Sequence, residues 1–419
     1  MSQQQVANDD VADVIVSKPK YIYGVIVLYC LFMLDFAARL GVLAVFPSMQ
    51  KELGFTDAEL GLIGSAVLLS MGLFVLPLSY LADKTSKKRA ITVMSLLWGV
   101  GCTLCGFVTN LFLILGGRFL VGIGNSSYAP VSVSLLTSWT KKSRWGSAIG
   151  IYNSSMAVGL ALGTSASGLL AGLYGWRVSF MVIGGLTLVF AVLSMFLPNG
   201  TEKQGASPKK SNLKEAFGVT LKNKTLVLMG VGAGLSNLVF ASMMAWIPMY
   251  LVRTLGWSSA EAGAALGPVY LIGGICIMPV SGLISDRLAR IDNRTRAWFG
   301  MPIFLLSATL FITAFSYGWF IPIVLGILLV NFPYTGIHIS TQELVPARYR
   351  ASAYGTYVTF LQGIGFFGPV IAGELSQAFG LNDALVYMQG ILFLAALCML
   401  IAGFTYRSDL AKARMMDSL

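Results

Sequence analysis

The sequence predicts an all-α polytopic membrane protein: twelve transmembrane helices in two six-helix bundles. Three observations carry this reading. The 419 residues are 56% hydrophobic and 11% charged, with a mean hydropathy of +0.75, a balance outside the range of soluble chains. Apolar runs of about 20 residues, each enough to cross hydrocarbon at about 1.5 Å per residue, recur along the whole chain. The stretch from Gly54 to Arg89 also returns about two hundred residues later, from Gly256 to Arg296, so the halves are related.

The chain opens on a polar stretch, 1–20, read as a cytoplasmic N-terminal tail. The first apolar run is of full spanning length and lacks a small-residue cleavage site, so it is not a signal peptide. The runs fall at 21–46, 57–81, 91–110, 112–138, 146–171, 176–197, 225–251, 259–284, 297–316, 319–341, 351–376 and 382–406. One long polar segment, 199–224, holds Gly205, Pro208 and six lysines between Lys203 and Lys224. It reads as a cytoplasmic linker between a first bundle, 21–198, and a second, 225–406, with a short amphipathic helix from Leu213 to Phe217 on the membrane surface. A cytoplasmic C-terminal tail, 407–419, follows.

The formal net charge of +11 is informative through its distribution. Basic residues lie in alternate connections: Lys84 to Arg89, Lys141 to Arg144, Lys203 to Lys224, Arg287 to Arg296, Arg348 to Arg350, and the tails. The intervening connections carry only Lys51, Arg177 and Arg253. This positive-inside asymmetry places both termini and the basic loops on the cytoplasmic side of the plasma membrane. It also removes nucleic acid as a partner, since there is no basic soluble domain. The five cysteines all sit in apolar runs; Cys102 and Cys105 form a CxxC without His or acidic partners, so they pack and hold neither a metal nor another cofactor.

The two copies of the repeat share their punctuation. Each opens on Gly and an aromatic, Gly54-Phe55 or Gly256-Trp257, then Thr56 or Ser258 as a helix cap and an acid near the first turn. Each closes on Asp and basic residues: Asp83, Lys84, Lys87, Lys88 and Arg89, or Asp286, Arg287, Arg290, Arg294 and Arg296. The duplication extends to the fifth and eleventh spans, which start on Arg144-Trp-Gly-Ser-Ala-Ile-Gly150 and Tyr349-Arg-Ala-Ser-Ala-Tyr-Gly355. Gly163 and Gly168 then match Gly368 and Gly373; small residues at this spacing let membrane helices approach closely. Pro47 and Pro248 are expected to end the first and seventh spans. Parallel six-span repeats are the arrangement of one large transporter class.

On these residues the chain resembles the major facilitator superfamily from Tyr21 to Tyr406. That superfamily carries G-x-x-x-D-(R/K)-x-G-(R/K)-(R/K) between spans two and three, and here Ser79-Tyr-Leu-Ala-Asp83-Lys84-Thr-Ser86-Lys87-Lys88 keeps the Asp and the basic run but replaces both glycines. Gly282-Leu-Ile-Ser-Asp286-Arg287 keeps the first glycine. The resemblance implies that each Asp latches the cytoplasmic face, Asp83 with Arg144 and Asp286 with Arg348 or Arg350. It also implies a monomer.

Ionisable groups inside spans mark the working parts of such a protein. Asp35 and Arg39 stand four apart on the first span, one turn on one face, and so can pair. The fourth span holds Arg118, Gly122, Asn125 and Tyr128; Arg118 and Gly122 match the family's R-x-x-x-G pattern, whose arginine is associated with proton coupling. GFTDAELGLIGSA, RFLVGIGNSSYAP and GWRVSF are similar to the organic anion symporter and spinster-like branches. Those branches place adjacent Asp-Arg in span one and Glu where Asn125 stands. Alignment on Pro47 puts Arg39 on the branch arginine and Ala38 on its aspartate, so the acid has moved back one turn to Asp35. Tyr152 and Asn153 in the fifth span, Asn237 in the seventh, Asn331, Tyr334 and His338 in the tenth, and Tyr357 and Gln362 in the eleventh complete the candidate lining.

Two arginines against one aspartate at the midplane favour an anionic substrate. The expected protein is a proton-coupled symporter of a small organic anion, a carboxylate or sugar acid, working by alternating access. A spinster-like lipid or amphiphile transporter is the first alternative and drug efflux the second; Gly159-Leu-Ala-Leu-Gly163 lacks the proline of the usual antiporter motif in the fifth span. One histidine and no paired carboxylates or Cys-His arrangement speak against an enzyme.

Overall fold

The computed structural model describes residues 16–141, 144–200, 218, 220–346 and 350–417, without the side chains of residues 76, 83, 350–352 and 417. The proposed surface helix from Leu213 to Phe217, and Arg348, lie outside the described residues.

The described chain is helical throughout its spans. The first half runs Lys18–Ala44, Asp57–Lys84, Lys87–Cys105, the pair Leu111–Asn125 and Tyr128–Trp139, Trp145–Tyr174 and Trp176–Ser194. The second runs Lys224–Arg253, Ser259–Ile272 continuing through a π-helical turn at Gly273–Ile277 into Met278–Ile291, then Gly300–Tyr317, and Phe320–Val330 with Tyr334–Glu343. It ends with Arg350–Gly365 and Phe367–Phe379, then Leu381–Met388 and Gly390–Asp417. Among the described residues eleven segments are long and apolar enough to cross a membrane. The third-span helix is the one outside that number, because Lys87, Lys88 and Arg89 at its start lower its mean hydropathy.

Local chemistry explains where the repeated spans begin. Gly54 and Gly256 take φ of 70° and 73°, a left-handed turn that a side chain with a Cβ adopts at a cost. Thr56 then accepts from the Glu59 backbone N–H while the Glu59 carboxylate accepts from the Thr56 N–H, and Ser258 with Glu261 repeats this capping box. The acid expected near the first turn is thus the second half of the cap.

Three ends differ from expectation. Pro47 sits in the first turn of a separate short helix, Phe46–Leu53, where its fixed φ is suited and its missing N–H costs nothing. Pro248 lies inside the seventh-span helix, which runs on to Arg253; buried packing from Met244 to Leu251 holds that helix through the lost hydrogen bond. The twelfth span continues to Asp417, beyond the expected 406, because Asp409 is 4% exposed and caps the seventh span. Its carboxylate accepts from the Thr225 N–H at 3.1 Å and hydroxyl at 2.9 Å.

Within the halves, the first span packs on the fifth, the third on the fourth and sixth, and the seventh on the eleventh and twelfth. The halves meet along two seams, fifth span against eighth and second against eleventh. Glycines show which end of each seam is shut. A Cβ on Gly168 would stand 2.5 Å from Ser259 O, one on Gly263 2.8 Å from Thr164 O, and one on Gly373 2.5 Å from Asp57 O. Toward the basic loops the same spans are apart: a Cβ on Gly72, Gly146, Gly150, Gly355 or Gly363 would meet no heavy atom within 4 Å. The two bundles therefore touch at the capping-box end and separate toward the basic end.

Close glycine contacts also hold the first span to the fifth. A Cβ on Gly163 would lie 2.5 Å from Ala37 Cα and 2.7 Å from Ala37 O, both backbone atoms that cannot rotate away. Gly163→Ala is expected to cost about 1–3 kcal/mol by overpacking and to lower the Tm of the detergent-purified protein. Gly150→Ala, with open space around it, is expected to leave Tm unchanged or slightly raised. Equal Tm values for the two variants would disprove the close packing.

Candidate functional site

The first span carries the centre of the site. Arg39 donates to Asp35 through Nε at 2.8 Å and Nη2 at 2.6 Å, a bidentate pair across one helical turn. Asp35 is 1% exposed, whereas the Arg39 side chain keeps 17% exposure and lies over the Phe36 ring. The carboxylate is sealed in, and the guanidinium stands at its edge.

Arg118 reaches the same turn from the fourth span. It is 1% exposed; Nη1 donates to the Ala38 carbonyl at 3.0 Å and Nε finds no acceptor. Among the described residues no carboxylate comes within ion-pair distance of it. Close packing puts it there: the glycine-rich helix Leu111–Asn125 sinks against its neighbours, with Gly122 on Val67 and Gly124 on Met94 and Trp98 backbone. Burying an arginine against a lone carbonyl is costly in a membrane unless another partner arrives.

Aromatic rings pack beside these charges. Phe32, three residues before Asp35, stacks on Tyr152 at 4.5 Å between ring centres and faces Tyr128 at 6.2 Å. Tyr128 donates to the Leu28 carbonyl at 3.2 Å and meets Trp98 edge-on. Asn125 is 3% exposed, with neither amide atom bonded. Asn153, next to Tyr152 on the fifth span and turned about 100° from it, is exposed and has no described bond. The structure thus gathers Asp35, Arg39, Arg118, Tyr128 and Tyr152 around one turn of the first span, with Asn153 exposed on the fifth.

The second half offers fewer charges and more rings. His338 is edge-on to Tyr354 at 5.6 Å and to Tyr357 at 5.0 Å. Tyr357 is 3% exposed with an unbonded hydroxyl. Tyr334 bonds Ser236 at 3.1 Å, and the Asn237 amide donates to the Leu361 carbonyl at 2.8 Å. Asn331 reaches only the Ile327 carbonyl of its own helix, at 3.4 Å, and Gln362 is half-buried without a described bond.

At the basic end each expected pairing involves a side chain outside the described residues, and Asp286 has a described partner of its own. Asp286 binds Arg296 at 3.2 Å, and Arg296 in turn faces Glu343 at 3.2 Å. Arg296 reaches Asp286 because the chain returns ten residues on over the same end of the bundle. Arg348 and the side chain of Arg350 lie outside the described residues, as does the Asp83 side chain; Arg144 is exposed at the start of the fifth span. A pocket of about 580 Å³ opens here between Asp286, Arg290, Asp292 and Arg407, with Arg407 on Asp292 at 2.8 Å. Its charges are largely matched within the protein, unlike Arg118.

One cluster was not anticipated. At the opposite end, Arg253 binds Asp57 through Nη1 at 2.9 Å and Nη2 at 2.5 Å, across the seam between the halves. The sequence holds a faint signal of it. Glu59 and Glu261 complete the two capping boxes, so Asp57, whose counterpart in the repeat is Ser259, is an acid the cap does not need.

The helices, seams and buried charges can be set against known proteins. A probable sulfoacetate transporter of Cupriavidus necator is 24% identical, over 87% of this chain and 90% of its own. A D-galactonate transporter of Escherichia coli is 24% identical, over 89% and 93%. Among solved structures, a bacterial homolog of the human lysosomal transporter Spinster superposes with a TM-score of 0.86 at 21% identity, covering 94% of this chain and 99% of that one. The family model described as the Major Facilitator Superfamily matches residues 27–369, and the chain belongs to that superfamily of multi-pass membrane transporters.

Proposed function

We propose that the protein is a proton-coupled symporter that brings a small organic anion, a carboxylate or sugar acid, across the plasma membrane, with both termini and the basic loops on the cytoplasmic side. The observation that carries this reading is the charge imbalance at the first span. Arg39 and Arg118 oppose the single Asp35, and Arg118 has a carbonyl as its one bonded acceptor. An anion entering between the halves supplies the missing charge. Relatives named for sulfoacetate and galactonate transport support the substrate class, since both are small organic anions.

Coupling follows from the bidentate pair. While ionised, Asp35 occupies two of the donors of Arg39, on Nε and Nη2, and neutralises its charge. A proton on Asp35 releases those donors to the anion, so proton and anion each favour the other's binding. Rocking of the bundles about the first and seventh spans then exposes the site to either side.

The test is uptake into proteoliposomes of labelled mono- and dicarboxylates and sugar acids, with and without an inward proton gradient. Accumulation of one acid only with the gradient is expected. Transport of a lysolipid or an apolar cation in place of every acid would overturn the substrate class.

Tyr357 gives a finer check on the second half. Its hydroxyl is buried and unbonded beside His338, so Tyr357→Phe removes a polar group without disturbing the rings. Expected are a Tm unchanged or raised and a KM raised several-fold, the loss of about 1 kcal/mol from one hydrogen bond to the anion. An unchanged KM would take Tyr357 out of the binding site.

A further inference from the structure

We propose that Asp57 and Arg253, with Gln50 and Ser376, form the latch that holds the two bundles shut at the end opposite the basic loops. The inference rests on the transport reading above for its purpose, though its geometry stands alone. Asp57 is the first residue of the second span, in the first half; Arg253 ends the seventh span, in the second half. Their bidentate contact is joined by Ser376 of the eleventh span, whose hydroxyl donates to Asp57 Oδ2 at 2.5 Å. Gln50 donates to Asp57 Oδ1 at 2.8 Å and accepts from Arg253 Nη2. One carboxylate thus receives donors from two spans and the short helix, and three of its four bonds cross the seam.

Two comparisons within the molecule separate this pair from an ordinary surface contact. The first is shielding: side-chain exposure is 10% for Asp57 and 31% for Arg253, so water and salt screen the pair less than an open one. The second is the internal repeat. Five residues after Pro47 stands Glu52, and five after Pro248 stands Arg253. Glu52 stays within its own half, accepting from Arg177 and from Trp176 at 2.8 Å. Arg253 leaves its half and crosses. The duplication therefore supplied two equivalent positions, and one of them now joins the bundles.

The seam beneath the latch shows what it holds. Gly373 lies against the Asp57 carbonyl and Gly61 against that of Pro369, so the second and eleventh spans are in backbone contact. No such contact exists for Gly72 or Gly363 toward the other end of the same spans. For a central site to open at the capping-box end this backbone seam has to part, and the Asp57 bonds to Arg253 and Ser376 have to break with it.

The test uses the full chain in proteoliposomes with Cys30, Cys276 and Cys398 replaced by serine, leaving buried Cys102 and Cys105. Two reporters are read with a membrane-impermeant maleimide. Ser165→Cys sits in the other seam, where Ser165 bonds the Gly263 carbonyl at 2.9 Å, and Gly150→Cys sits in open space toward the basic end. Arg253→Gln or Asp57→Asn is expected to raise labelling of position 165 at least about fivefold and to lower labelling of position 150. A misfolded variant would raise both, so the opposed changes identify gate opening. The double reversal Asp57→Arg with Arg253→Asp is expected to restore protection, because the Gln50 amide and Ser376 hydroxyl can each donate or accept. Unchanged labelling in the single variants, or no recovery in the double reversal, would overturn the latch. If no organic acid is transported while the labelling still responds, the substrate assignment fails and the latch stands.

Discussion

Asp35→Asn abolishes accumulation driven by a proton gradient and spares exchange of one anion for another across the membrane; this is the largest functional effect expected of a single substitution. The amide keeps the size of the carboxylate and can accept one hydrogen bond, so the fold around a 1%-exposed position is retained. It carries neither a charge nor a titrating proton. Arg39 loses its bidentate partner and stays available to the anion at every pH, so binding no longer depends on a proton. Counterflow measured beside gradient-driven uptake distinguishes these steps. Gradient-driven accumulation at the unmodified level would remove Asp35 from the mechanism. Loss of both activities would instead assign the pair a structural role, the fixing of one helix turn by a buried ion pair.

What sequence makes legible here is whatever lies within a turn or two of itself. The capping boxes at Thr56 and Ser258 are visible because cap and acid are three residues apart. The Asp35–Arg39 contact is visible because positions four apart share a helix face. Hydropathy finds the spans because the bilayer imposes one length on all of them. Hydropathy runs cannot mark where a helix stops when tertiary contacts decide the end. Pro248 is carried inside a helix by buried neighbours, and the last helix is prolonged by Asp409 binding Thr225, a contact 184 residues long in sequence.

The contacts that join the halves are harder still to foresee. Asp57 and Arg253 are 196 residues apart, and nothing local to either says they meet. Asp286 has a partner that the family pattern does not name: Arg296, ten residues on, binds it, while Arg348 and the Arg350 side chain lie outside the described residues. Family motifs give the residue types at a site with more certainty than its pairings. A pairing depends on which conformation the bundles hold, and here they are closed at one end only.

Arg118→Gln tests the observation on which the substrate class depends, and it does so through two readouts that move apart. Glutamine keeps the aliphatic stem and an amide N–H at the level of the arginine Nε, and gives up the Nη1 bond to the Ala38 carbonyl. What disappears is a buried cation with no described carboxylate partner. If that cation binds the transported anion, its removal costs about 3 kcal/mol of anion binding, on the order of a hundredfold in KM. The folded protein meanwhile loses an uncompensated charge, so Tm is expected to stay level or rise. A structural arginine makes the opposite forecast, a lower Tm with KM little changed among the molecules that fold. Strain of this kind is tolerated where a ligand relieves it, and adding the transported acid should therefore raise the Tm of the unmodified protein more than that of the variant.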